Sequence, residues 1–282
     1  MSSVDYCICI EELARVDPSV SLTVAAHNGL GRRAHRDVRN RRAEAQYSRA
    51  ARDRREARRM GTRPRRRREA MRRAMRSSAV RDGDCWVING TKQFITHGRT
   101  GDLIVVMAVT NKSKGSRGMT AFIVEQGTPG FRAGKKEDKL GMRASETSEV
   151  IFEHCRVPRL QVLGQEGQGS STRCRCWMRA ASASRRWPVG LAQGAYEAAR
   201  RYAFERKQFG QPIGTFQSIR AKLVDNATRI EAARLLTYRA ASMKHAGRRT
   251  TLEAAMAKLY SSEIAVRAVR GQRARFTAAT AS

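Results

Sequence analysis

Cys85-Trp86-Val87-Ile88-Asn89-Gly90-Thr91-Lys92-Gln93-Phe94-Ile95-Thr96 is the stretch whose reading decides the fold. β-Branched and aromatic residues fill both halves, and Asn89-Gly90 lies between them. An Asn-Gly pair supplies the positive φ that a type I′ turn needs at both central positions, so the spacing predicts a β-hairpin. Working outward, Leu103 to Thr110 and Met119 to Glu125 read as two buried strands, Gly127-Thr128-Pro129-Gly130 as a turn, and Ser148 to Glu153 as another alternating strand. Five or six strands at this spacing predict a small antiparallel sheet or barrel-like domain over 79–163.

Helical patterns flank these strands. Residues 1–29 read as the remnant of a helical domain, with Ile8, Ile10, Leu13 and Val16 spaced for one buried face and Asp17-Pro18 closing the helix. Residues 164–188 read as an irregular linker opened by Gly164, Gly167 and Gly169. From 189 to 268 the pattern is again helical. It predicts helices over 192–207 and 216–245, the latter stacking Leu223, Ala227 and Ile230, and a third that Thr250 and Glu253 open in capping-box spacing. The expected class is therefore α+β: a partial N-terminal helical remnant, a middle antiparallel β domain and a C-terminal helical bundle.

The charge is concentrated. The chain has 282 residues, with 56 Lys and Arg against 25 Asp and Glu, a net charge of +31. Residues 32–76 hold 20 Arg and 5 acids, residues 173–186 hold 5 Arg and no acid, and residues 267–282 hold 4 Arg and no acid. Between Arg32 and Arg76 there is no Leu, Ile, Phe or Trp, too little apolar surface to offset chain entropy. Disorder is expected over 30–78 and in the tail 269–282. Elsewhere, a hydrophobic content of 41% excludes a wholly disordered chain. No apolar run is long enough to span a bilayer, and Met1 to Ile10 has no basic region preceding an apolar stretch, so a cytoplasmic protein without membrane contact is expected. The six cysteines form no C-x-x-C pair at zinc spacing, and His27, His97, His154 and His245 are scattered, which predicts free thiols and no metal. The basic islands would hold phosphate backbones without sequence preference; Tyr47 is the one aromatic residue of the first, so base stacking has little support.

Three blocks of the chain closely resemble the acyl-CoA dehydrogenase family: DYCICIEELARVDPSVSLTVAAHN from Asp5; the span Ala79 to Gly169, including WVINGTKQFITHG, GMTAFIVEQGTPGF, KLGMRASETSEVIFEHCRVP and LGQEGQG; and Val189 to Arg267, including GLAQGAYEAA, ERKQFGQPIGTFQSI and GRRTTLEAAMAKLYSSEIAVR. The resemblance implies FAD as cofactor and an acyl-CoA thioester as substrate, short-chain or short-branched. It implies desaturation to a trans-2-enoyl-CoA, an electron-transferring flavoprotein as acceptor, and a homodimer or homotetramer. Phe94, Ile95 and Thr96 match the family's aromatic-Ile-Thr flavin segment, with Phe94 where many members have Trp. Arg206, Lys207 and Gln208 fall in its E-R-K-x-F-G motif, which contacts the pyrophosphate or adenosine end of FAD. Phe209, Phe216 and Gln217 stand where the family places further FAD contacts across a dimer interface.

The resemblance breaks at the arginine islands. Where the family carries a T-E-P-x-x-G-S-D-type flavin and acyl-CoA loop, this chain reads GLGRRAHRDVRN through RPRRRREAMRRAMRSS. Where the family begins its first bundle helix with an acid and an Arg that help hold CoA, it reads SSTRCRCWMRAASASRRWP. The Glu-Gly-Thr segment that carries the catalytic Glu in many members has no counterpart, so no catalytic residue is assigned and negligible turnover is expected. Glu146, Glu149 and Glu153 read as solvated carboxylates, not substitutes for that base. The islands read as out-of-frame translation of a GC-rich gene. The remaining alternatives are a non-catalytic family remnant and nonspecific nucleic-acid binding.

Overall fold

The computed structural model describes residues 2–26, 58–61, 77–170 and 187–278. They fall into two units: a helical unit, Met1–Leu22 with Ala181–Ser282, and a β unit, Thr23–Ala180, lying between its two parts in sequence. Apart from 58–61 and 77–78, the interval 30–78 lies outside the described residues, as do His27 and the second island at 173–186.

In the helical unit, α1 spans Ser3–Val16 and α2 begins at Pro18; α2 runs to Ala26, its residues from Thr23 onward counting with the β unit. Ser2 opens α1 by accepting from the amides of Val4 and Asp5, while the Asp5 carboxylate accepts from the Ser2 amide at 2.6 Å. This reciprocal capping contributes about 1 kcal/mol. Asp17 ends α1 in an extended conformation, as a residue before proline must, and its carboxylate accepts from the Ser19 amide at 2.6 Å to start α2. The break at Asp17-Pro18 is where the sequence places it. The buried face of α1 is not: Tyr6, Cys7, Ile10, Glu11 and Ala14 are buried, whereas Ile8, Leu13 and Val16 are exposed.

The reason is the neighbour. Helix α3, Trp187–Glu205, presents Gly190 and Gly194 one turn apart, and a Cβ there would lie 2.1 Å from the Glu11 carbonyl oxygen and 2.3 Å from that of Arg15. Two backbones this close accept only a face carrying small residues, such as Ala14. Buried Glu11 then accepts from Arg234 Nε at 2.7 Å and Tyr238 Oη at 2.9 Å, both on α4, Gln217–His245. Arg234 also donates to Gln193 at 3.0 Å, Gln193 to Glu197 at 2.9 Å, and Arg15 to Glu197 at 3.1 Å. Burial first, then the Glu11 carboxylate, push the Tyr238 phenol well above its ordinary range. Helix α5, Thr251–Ala278, completes a core of Val189, Ala192, Ile230, Ala233, Ile264, Ala265 and Ala268. It runs on to Ala278, where the charge pattern predicts a tail from 269.

The β unit contains β1 (Arg58–Gly61), β2 (Ser78–Asp82), β3 (Cys85–Thr96), β4 (Leu103–Val109), β5 (Met119–Glu125), β6 (Phe131–Lys136) and β7 (Thr147–Pro158). The order is β1-β4-β2-β3-β7-β6, with β5 on the other side of β4. The β2–β3, β3–β7, β6–β7 and β4–β5 pairs are antiparallel, while β1 and β2 meet β4 in parallel. Strand β1 lies inside the first arginine island; a parallel ladder needs only backbone groups, which that composition does not remove. Trp86, Ile88, Phe122, Val124, Phe131, Val150 and Phe152 are among the core, with Trp86 edge-on to Phe122 at 5.6 Å and Phe131 stacked on Phe152 at 5.1 Å. Residues 164–170, read as linker, belong to this unit: Gln168 bridges to Met119, and the Gly167 amide donates to Thr120 Oγ1 at 3.0 Å.

The hairpin predicted at Asn89-Gly90 is corrected. Strand β3 runs straight through the pair, and the turn is Gly83-Asp84, joining Asp82 to Cys85, with Gly83 at φ 58°. Asn89-Gly90 is instead a bulge in the β3–β7 ladder. Asn89 Oδ1 accepts the amide of His154 at 2.8 Å, and a Cβ on Gly90 would strike Ser77 Oγ at 2.6 Å. Both halves of β3 pair with β7, and the longer ladder wins over folding the two halves onto each other.

Candidate functional site

The residues singled out by sequence lie in two places, one in each unit. In the β unit, the end of β3 carries a second bulge between Lys92 and Ile95. Phe94 lies at this bulge with φ 56°, a left-handed conformation unusual for a bulky side chain, and its ring is 46% exposed. Ile95 points the other way, 2% exposed within the β core, so only its backbone is available to a ligand. Thr96 pairs across the ladder with Thr147, and their side chains share the face opposite Ile95. Both are half-buried, and neither hydroxyl is engaged by another described side chain. The result is a half-exposed aromatic ring two residues along the strand from a cross-strand pair of available hydroxyls, groups suited to a planar heteroaromatic ring with polar edge atoms.

Thr147 was not singled out by sequence, because a lone strand threonine carries no signal until its cross-strand partner is known. The loop before it is held by Lys139, whose Nζ donates to the carbonyl of Met142 at 2.7 Å and to that of Ser145. Burial lowers the Lys139 pKa, with Glu146 opposing the shift. After Thr96 the chain turns at His97, also left-handed at φ 54°, whose ring bonds Thr100 and Thr23.

In the helical unit, the second group lies on the connector from α3 to α4. Two short strands, β8 (Lys207–Gln208) and β9 (Gln211–Pro212), form a hairpin around Phe209-Gly210. Both turn residues have positive φ, 52° and 77°, the pattern of a type I′ turn. Phe209 is 90% exposed yet meets Phe216 edge-on at 6.2 Å. Phe216 is the residue before α4, packed against the cluster of Ala199, Ala203, Ile213, Ile219 and Leu223, and Gln217 is the first exposed residue of the helix. The Arg206 guanidinium and Lys207 ammonium are exposed and have no partner among the described side chains. No side chain caps the start of α4 and no acid stands in its first turn. Two exposed cations without a partner among the described side chains suit a phosphate.

Among the described residues no group of His, Cys, Asp and Glu could hold a metal ion, and no helix is long and apolar enough to cross a membrane.

Fold and residue pattern thus define an α+β protein in which a β unit interrupts a helical one. Two family patterns match it: the acyl-CoA dehydrogenase middle domain over residues 61–155 and the acyl-CoA dehydrogenase C-terminal domain over residues 176–272. A probable short/branched chain specific acyl-CoA dehydrogenase of Dictyostelium discoideum is 39% identical over 93% of this chain and 63% of its own length. A short-chain specific acyl-CoA dehydrogenase of Megasphaera elsdenii is 37% identical over 93% of this chain and 68% of its own. The solved structure of butyryl-CoA dehydrogenase from Megasphaera elsdenii superposes with TM-score 0.90 at 35% identity, covering 95% of this chain and 70% of that one. A structure described as the electron transferring flavoprotein of Acidaminococcus fermentans gives 0.91 at 36% identity over 95% and 70%, and one of PigA with FAD and proline gives 0.88 at 28% over the same shares. The chain belongs to the acyl-CoA dehydrogenase family. It spans just under two thirds of the Dictyostelium relative.

Proposed function

We propose that this chain carries the flavin-binding scaffold of an FAD-dependent acyl-CoA dehydrogenase acting on a short or short-branched acyl-CoA, with electrons passed to an electron-transferring flavoprotein. The supporting observation is that, among the described residues, two of the five non-glycine residues with positive φ, Phe94 and Phe209, are aromatic residues assigned to the flavin by the family motifs. Such strain persists where function requires the side chain to be presented. The residues fit FAD. In the β unit, Phe94 would lie against the ring system and the hydroxyls of Thr96 and Thr147 would meet its polar edge; in the helical unit, taken by itself, Arg206 and Lys207, which have no partner among the described side chains, would suit a pyrophosphate. When bound, FAD would supply the acceptor for the hydride lost from the β-carbon; the α-proton lost with it, to give the trans-2-enoyl thioester, would need a base that no residue of this chain is assigned to provide.

The substrate range rests on the relatives described as short-chain and short/branched-chain specific. The acceptor rests on the Acidaminococcus structure. Self-association is supported by exposed Phe209 and by Leu252, Met256, Leu259 and Val266, which line one face of α5 away from the bundle core. Four free cysteines among the described residues, Cys7, Cys9, Cys85 and Cys155, support a reducing compartment such as the cytoplasm. Turnover by the 282-residue chain is proposed to be negligible, because the arginine islands stand where the family's substrate-holding motifs would be.

An absorbance titration with FAD followed by acyl-CoA-dependent dye reduction separates the parts of this reading. Stable flavin uptake without dye reduction is expected. A chain that never acquires flavin absorbance would overturn the flavin reading, and measurable turnover would overturn the inactivity. Resequencing the gene tests the out-of-frame origin: confirmed arginine codons, with no family motif in the neighbouring frames, would refute it.

A further inference from the structure

Phe94 and His97 flank Ile95-Thr96, and both hold left-handed backbone angles. A strained pair this close must be restrained by its surroundings. The restraint converges on His97. Its amide donates to the Glu146 carbonyl at 2.8 Å, and its carbonyl accepts from the Gly101 amide at 3.1 Å. Its ring bonds on both sides, Nδ1 with Thr100 Oγ1 at 3.0 Å and Nε2 with Thr23 Oγ1 at 3.1 Å. The Glu146 carboxylate accepts from the Arg99 amide at 3.2 Å and from the Thr100 hydroxyl at 3.4 Å.

These bonds form one connected series. Thr100 donates to Glu146, and both ring nitrogens of His97 are engaged by threonine hydroxyls, the tautomer setting which of them donates. The series Thr23, His97, Thr100, Glu146 therefore ties the turn after β3 both to a residue 74 positions earlier and to the loop entering β7. Next to it, a Cβ on Gly98 would lie 2.2 Å from Ser148 Oγ, so the turn is pressed against β7 and cannot shift inward.

We infer that His97 is a positioning residue for the cofactor: its ring latches the turn to Thr23, which keeps the Phe94 ring presented and the Thr96 hydroxyl facing outward. It touches no cofactor itself. The inference rests on the flavin reading above and adds to it a residue outside the flavin motif that sets the motif's conformation.

The test uses the full chain and two variants. His97→Gly removes the ring while allowing positive φ, and Thr23→Val removes one hydroxyl at nearly constant shape. Loss of one neutral hydrogen bond is expected to weaken FAD binding by about 5-fold, and loss of the whole ring by about 10-fold or more. Amide exchange over 94–101 should accelerate in both flavin-free variants, and the visible circular dichroism of bound flavin should change. His97→Asn, which tolerates positive φ and keeps one polar group, should recover part of both signals. Faster exchange with FAD affinity and flavin dichroism unchanged within about 2-fold would reduce His97 to a structural tie and overturn the inference alone. Failure of the parent chain to take up FAD would instead bring down the flavin reading, and the inference with it.

Discussion

Replacing Gly190 by Ala opposes two effects of known sign. Within a helix, Ala is favoured over Gly by about 1 kcal/mol, so propensity alone predicts a more stable protein. Against that, the new Cβ would lie 2.1 Å from the Glu11 carbonyl oxygen, 2.8 Å from Ala14 Cβ and 3.0 Å from the Arg15 nitrogen. An unbonded carbon and oxygen settle more than about 1 Å farther apart, and a backbone carbonyl cannot rotate away as a side-chain tip can. Helix α1 must therefore lift off α3, loosening Tyr6, Ile10 and Ala14 and stretching the bonds from Glu11 to Arg234 and Tyr238. Overpacking at the upper end of its range costs about 3 kcal/mol, leaving a net loss of about 2 kcal/mol after propensity is credited. At about 2 to 4 °C per kcal/mol, Tm should fall by roughly 4 to 8 °C. Far-UV circular dichroism melts of the parent, Gly190→Ala and a Gly141→Ala control, whose site is open, measure it. A Gly190→Ala Tm equal to or above that of the parent would refute the backbone-contact argument.

Three further outcomes are expected. Phe209→Asn should stabilise the hairpin by about 0.5 to 1 kcal/mol, because Asn accepts the left-handed conformation of a type I′ turn, while FAD binding weakens; a loss of stability in urea unfolding would contradict the strain argument. Burial pushes the Cys155 thiol up to about 11 from 9.0, so peptide mapping after iodoacetamide treatment at pH 9 to 10 should find Cys9 alkylated and Cys155 intact until the chain is unfolded. Since the raised thiol pKa favours the folded state only while the unfolded thiol stays protonated, this contribution is lost as pH rises from 9 to about 11. The Glu197 pKa is lowered, first by the hydrogen bond from Gln193 and then, against desolvation, by Arg15; its stabilisation is present above the ordinary value of 4.5 and fades as pH falls below it. Glu197→Gln should flatten that acid-side decline in a pH series of melts, and an unchanged slope would show that the pair contributes nothing.

Local chemistry was legible in the sequence wherever one segment suffices to determine it. The apolar runs of β4 and β5 read as strands buried on both faces, and Asp17-Pro18 reads as the end of the first helix. The residues proposed to hold the cofactor were legible through family motifs alone, since nothing in the composition distinguishes Phe94 or Arg206 from an ordinary strand or helix-end residue.

By itself, then, the sequence determined the succession of a helical segment, a run of strands and further helices, the family pattern and the positions at which that pattern is interrupted. Tertiary structure decided the rest. Asn89-Gly90 suits a turn and a bulge equally, and the choice fell to β7, which pairs with both halves of β3. Ile8, Leu13 and Val16 make as good an apolar stripe as the face actually buried, and the choice fell to the two glycines of α3. Ile95 faces the core, while Thr147 meets Thr96 and Thr23 meets His97 only because the fold brings residues far apart in the chain together. Backbone preference limits which conformations a segment can adopt; which of them it keeps depends on the surface it meets, and that surface is built from residues elsewhere in the chain.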